Sequence, residues 1–155
     1  MVMKCGRIKR LKKQEPEIWY SMYNKKEQFR TLLFPLYFFL QLARKAYTRY
    51  SANKIYLHAA TLRLSNRKVY RLLVSKAAYI PAGLQDDTLE LLHHYDTWFT
   101  QFRDHKKKLK PSPGEEFIFR HLDEQSAFPR AAEERIMKYY EMQKQELANE
   151  TLPGQ

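Results

Sequence analysis

A chain of 155 residues with 44% apolar content has room for one domain with a buried core, which excludes a globally disordered protein. Its formal net charge of +11 favours contact with something anionic. The single cysteine, Cys5, excludes an internal disulfide, and with no other cysteine near it also a cysteine-rich zinc site; a reduced, cytoplasmic setting is expected.

Only four glycines occur, and Gly6, Gly114 and Gly154 lie outside the periodic segments. Few breakers and long periodic runs predict an all-α protein. Residues 1–14 carry Lys4, Arg7, Lys9, Arg10, Lys12 and Lys13 with no acid, the pattern of a flexible basic tail. No apolar stretch directly follows it, so a signal peptide is not expected. One helical domain is expected over 15–148, and 149–155 should fray.

Pro16 can open a first helix over 17–33, with Ile18, Trp19, Met22, Tyr23, Phe29, Leu32 and Leu33 at helical spacing. Residues 31–43, TLLFPLYFFLQLA, hold no charge and sit between Arg30 and Arg44. A membrane span needs about 20 apolar residues, and Pro35 interrupts this run. It reads as the buried start of a helix, with peripheral membrane attachment through 31–43 as an alternative.

From Leu36 to Ile80 there is no Pro and no Gly. Ile55, Ala59, Leu62, Asn66, Val69, Leu73, Lys76 and Ile80 alternate steps of four and three, a coiled-coil-like seam. One unbroken helix here would run roughly 67 Å, so a break is expected, at Ser51-Ala52-Asn53 or at Ser65-Asn66. Asn66 falls on the seam as a polar residue that fixes register. The chain turns at Pro81-Ala82-Gly83, and Asp87-Thr88-Leu89-Glu90 has the form of a capping box. A second seam follows: Leu84, Thr88, Leu91, Tyr95, Trp98, Phe102, His105, Leu109.

These elements predict a helical bundle built on a long antiparallel αα-hairpin, residues 36–80 against 84–109, with flanking N- and C-terminal helices. Residues 110–114 are a linker by composition. Residues 116–120 should form a short strand or an irregular packed segment. Ser126 and Pro129 open a last helix over 129–147. Exposed seam length leaves room for a homodimer or another helical partner.

The charge is unevenly spread. No acid occurs between Glu27 and Asp86, an interval holding ten bases: Arg30, Arg44, Lys45, Arg49, Lys54, Arg63, Arg67, Lys68, Arg71 and Lys76. Residues 115–155 hold nine acids against five bases, so the last helix should pack partly against the basic segment. If the helix is continuous, Lys45, Arg49, Arg63, Arg67 and Arg71 fall on one stripe, with Tyr56 in it and Tyr70 beside it. Bases interleaved with tyrosines on one face suit a phosphate backbone and stacked bases. An anionic membrane surface or an acidic protein would suit the same bases.

Chemistry-bearing motifs are missing. HExxH, GxSxG and the phosphate-binding P-loop pattern are absent. The run HHYDTWFTQFRDH, residues 93–105, looks like a site, but His94 and His105 lie about 16 Å apart along a helix and cannot share one ion. Wound as a helix, the run turns Tyr95, Trp98, Phe99 and Phe102 to a partner and His93, His94, Asp96, Thr97 and Asp104 to water. Glu133 and Glu134 beside Arg130, Arg135 and Lys138 read as helix-surface pairs. The expectation is a non-enzymatic module with no cofactor or metal. Its basic face contacts an anionic partner, foremost nucleic-acid backbone. A protein-interaction scaffold is the alternative.

Overall fold

The computed structural model describes residues 24–118 and 127–150. The basic tail over 1–14, residues 17–23 of the expected first helix, the Ser126 helix start and residues 151–155 lie outside them. The described chain runs helical from residue 24 through a π turn, Phe29–Leu33, into α1, Phe34–Asn53. Helix α2, Tyr56–Ser75, follows, then two 3₁₀ turns, α3, Gln85–Leu109, and α4, Arg130–Glu150. No strand occurs among the described residues, and the fold is an all-α bundle with antiparallel packing.

Pro35 does not interrupt the first helix. Proline lacks an amide hydrogen, and its ring clashes with the carbonyl four residues back in a regular α-helix. The chain answers with one wider turn, in which the Phe34 amide bonds to the Phe29 carbonyl five residues back. Leu32 and Leu33 remain buried through that turn.

The break in the 36–80 segment comes after Asn53, the first of the two candidate positions. Lys54 adopts a left-handed conformation, φ 49°, and its amide bonds to the Tyr50 carbonyl. Ile55 is extended, and α2 starts at Tyr56. Ser65, the other candidate, sits within α2, and its hydroxyl donates to the Thr61 carbonyl. Asn66 is buried on the seam. The expected 36–80 arm is therefore two helices, and α2 packs antiparallel against both α1 and α3. A left-handed helix end normally favours glycine, because a side chain there costs about 1 kcal/mol. Lys54→Gly is expected to raise unfolding stability by about 0.5 kcal/mol after glycine's entropic penalty, measurable by urea denaturation.

Two apolar clusters fill the bundle. One joins Leu36, Leu40, Val69, Leu73, Leu91, Tyr95 and Ile136. The other lies toward the α1–α2 turn and joins Tyr50, Ala59, Leu62, Trp98, Phe102 and Phe117. Phe117 comes from the loop after α3. The expected strand-or-irregular run is, as far as residue 118, a single antiparallel bridge, Ile55 to Glu116, with Phe117 wholly buried beside it. The loop also satisfies amides at the start of α2 that no helical carbonyl can reach. Tyr56 N–H donates to the Glu115 carbonyl and Leu57 N–H to the Pro113 carbonyl, each at 2.8 Å.

Helix α4 is tied to the bundle by two ion pairs that sequence spacing assigns otherwise. Asp87 is not a helix cap. Helix α3 has no side-chain cap, and buried Asp87 accepts from Arg135 Nε at 2.9 and 3.0 Å. Glu133 is not a surface pair along its own helix. It is buried and takes two hydrogen bonds from Arg44 of α1, at 3.1 and 2.9 Å, which raise the arginine pKa. The acidic C-terminal segment thus does pack on the basic one, through this single arginine among the described bases of 28–85. His94 is also not on the wet side. It is buried, with its ring edge-on to Phe128 at 5.2 Å.

Burial also sets an alkaline limit on the fold. Desolvation drives the Tyr95 pKa well above the usual tyrosine range, with the Glu133 charge adding to it. A group raised in the folded state contributes stability that is full below its unfolded pKa, about 10, and is lost as pH rises above that value. Unfolding free energy should therefore fall between pH 9 and pH 11, and the fall should be shallower in Tyr95→Phe. Equal slopes in the two proteins by chemical denaturation would remove Tyr95 as the cause.

Candidate anion-binding face on helices α1 and α2

The acid-free interval becomes the paired helices α1 and α2, so no carboxylate projects from either. The ten bases of that interval have different fates. Arg30 pairs with Glu27 and Arg44 with Glu133. Arg63 lies over the Phe102 ring of α3, 5.4 Å from its centroid. Lys45, Arg49, Lys54, Arg67, Lys68, Arg71 and Lys76 have no ion pair among the described residues, and all but Lys76 are exposed.

The turn at Lys54 and Ile55 changes the geometry expected from an unbroken helix. The stripe of Lys45, Arg49, Arg63, Arg67 and Arg71 is not one line. Lys45 and Arg49 stand on α1, and Arg67 and Arg71 on the neighbouring α2, while Arg63 turns to α3. Neither tyrosine is a free stacking platform. The Tyr56 ring packs on Phe117 at 5.2 Å and Phe102 at 6.2 Å, with Lys106 over it. Tyr70 meets Phe99 edge-on at 5.8 Å, and hydrogen bonding to Asp96 raises its hydroxyl pKa.

Helical spacing identifies what stands outward. On α1, Phe34, Phe38, Lys45 and Arg49 occupy the side away from buried Leu36, Leu40, Ala43 and Tyr50. On α2, Leu57, Leu64, Lys68 and Arg71 lie opposite Ala59, Leu62, Asn66, Val69 and Leu73. The apolar members are open to water: Phe34 and Phe38 are each 53% exposed, Leu57 52% and Leu64 58%.

Antiparallel pairing through the turn sets Lys45 and Arg49 roughly level with residues 60–64, beside Leu57 and Leu64. It sets Phe34 and Phe38 roughly level with residues 71–75, beside Lys68 and Arg71. A shallow open groove joins Phe39 of α1 to Lys68, Arg71, Leu72 and Ser75 of α2. At two levels of this layer, Lys45 with Leu64 and Phe38 with Arg71, one helix offers a base and the other an apolar side chain.

No family model, curated protein or solved structure matches this chain. No group of three or more His, Cys, Asp or Glu is placed to hold a metal ion among the described residues. Nor is any described helix long and apolar enough to cross a membrane. The 31–43 segment is largely core: Leu32, Leu33, Leu36, Leu40 and Ala43 are buried, and Phe34 and Phe38 are the side chains it turns outward.

Sequence reasoning missed Lys68 and the four exposed apolar groups as parts of this face. The acid-free interval already contained Lys68. One straight helix places Lys68 outside the stripe, the 31–43 run that holds Phe34 and Phe38 reads as a buried helix start, and Leu57 and Leu64 fall on neither seam.

Proposed function

We propose that this protein is a non-enzymatic binding module that holds an anionic partner on the α1–α2 layer, through Lys45, Arg49, Lys68 and Arg71 with Arg67 at the flank. The observation that carries it is that these bases, on two helices with no acid of their own, have no ion pair among the described residues. Unpaired like charges held side by side raise the energy of the free protein, and an anion relieves it. Nucleic-acid backbone belongs to this class of partner, but the stacking role expected of Tyr56 and Tyr70 drops out because both rings are packed on α3 or the loop. A reducing, cytoplasmic compartment remains the proposed setting, from the lone Cys5.

The scaffold reading has less to support it. Both seams that motivated it are largely consumed within the chain, where Ala59, Leu62, Val69, Leu73, Leu91, Tyr95 and Phe102 are buried. Binding to heparin, a polyanion with neither bases nor a bilayer, tests the proposal. Retention at about 50 mM salt that collapses by about 200 mM is expected. A protein that flows through at the lower salt ends it.

A further inference from the structure

We infer that the anionic partner is a lipid bilayer carrying acidic headgroups, on which the α1–α2 layer lies flat without spanning. This rests on the anion-binding reading and names its partner. A phosphate backbone asks for a row of cations, and exposed aliphatic side chains add nothing to a hydrogen bond or a phosphate contact. Here Leu57 and Leu64 share the outward side of α2 with Lys68 and Arg71, each leucine more than half exposed, and neither has the π face a nucleobase would stack on. An interfacial surface uses both kinds of group together. Its cations meet lipid phosphates and carboxylates, and its apolar groups enter the headgroup–acyl boundary a few ångströms deeper.

Shape agrees with charge. Two 20-residue helices lie antiparallel, each about 30 Å long and about 9 Å from its neighbour, so the layer is broad and nearly flat. Phe34 and Phe38 anchor one end and Leu57 and Leu64 the other, with bases level with both. The buried side of the same two helices is held by α3 and α4, so the layer needs no rearrangement to present this face.

The test is co-sedimentation of the full chain with two kinds of phosphatidylcholine vesicle, one pure and one with roughly a third phosphatidylserine, beside heparin retention and binding to duplex RNA. The natural protein should sediment with the acidic vesicles and not with the neutral ones. Phe34→Ser/Phe38→Ser/Leu64→Ser should keep heparin retention and weaken vesicle binding about a hundredfold. Phe38→Ser alone should show a smaller loss in the same direction, should the triple variant fold poorly. Heparin retention without binding to acidic vesicles overturns the lipid inference and leaves the anion-binding reading standing. Loss of both overturns both. Vesicle binding unchanged by the serine substitutions, or tighter binding to RNA than to acidic vesicles, also overturns it.

Discussion

Phe117→Ala is expected to destabilise the protein by about 3–5 kcal/mol, as much as truncating a large residue in the middle of a helix. The residue lies in a loop, where a substitution usually costs little. Its ring, however, is wholly buried, 5.2 Å from Tyr56, 5.2 Å from Phe102 and 4.8 Å from His105. Its backbone is equally committed: the carbonyl accepts from the Tyr50 hydroxyl and the amide donates to the Lys54 carbonyl, each at 2.7 Å. Removing the ring opens a cavity under the α1–α2 turn and loosens the loop that satisfies the first amides of α2. Phe117→Leu should recover more than half of the loss, because most of the volume returns. Denaturant titration of the two variants checks both statements. A loss below 1 kcal/mol for the alanine would mean that the loop does not close the bundle.

The second large effect falls on binding and spares the fold. Lys45→Glu/Arg49→Glu/Lys68→Glu/Arg71→Glu should weaken binding to an anionic surface by at least about 4 kcal/mol, taking about 1 kcal/mol for each base near such a surface. That is about a thousandfold in affinity. Stability should change little, because all four side chains are exposed and none has an ion pair among the described residues. Arg44→Glu should behave in the opposite way. Glu133 would keep its buried carboxylate and lose its partner, so the fold should suffer by about 2 kcal/mol, less than a fully buried pair because the arginine is half exposed. Together the two results would separate the bases proposed to hold a partner from Arg44, which holds α4 through Glu133.

The same distinction explains what the sequence made legible. Periodicity located the seams, because Ala59, Leu62, Asn66, Val69 and Leu73 do face the interior at steps of four and three. Length alone required a break, and the Ser51-Ala52-Asn53 candidate was correct to one residue. Which helices the break brought together was not legible, since it depends on Lys54 reversing the chain rather than kinking it. That reversal moved Lys45 and Arg49 from one end of a stripe to the neighbouring helix. The long-range pairs were invisible for a similar reason. Asp87 has the spacing of a cap and Glu133 that of a surface pair, yet their partners lie 48 and 89 residues away. The acid-free interval was the strongest legible signal, and it now coincides with one layer of the bundle.

The proposal stands on that layer, so the most direct test is to compare two variants of equal charge on the same heparin column. One reverses Lys45, Arg49, Lys68 and Arg71. The other reverses Lys107, Lys108, Arg130 and Lys138, four exposed bases on α3 and α4. The account predicts that the first elutes at far lower salt than the second, which stays close to the natural protein. Equal shifts in the two would contradict it, since net charge alone would then explain the binding and the α1–α2 face would have no special part in it.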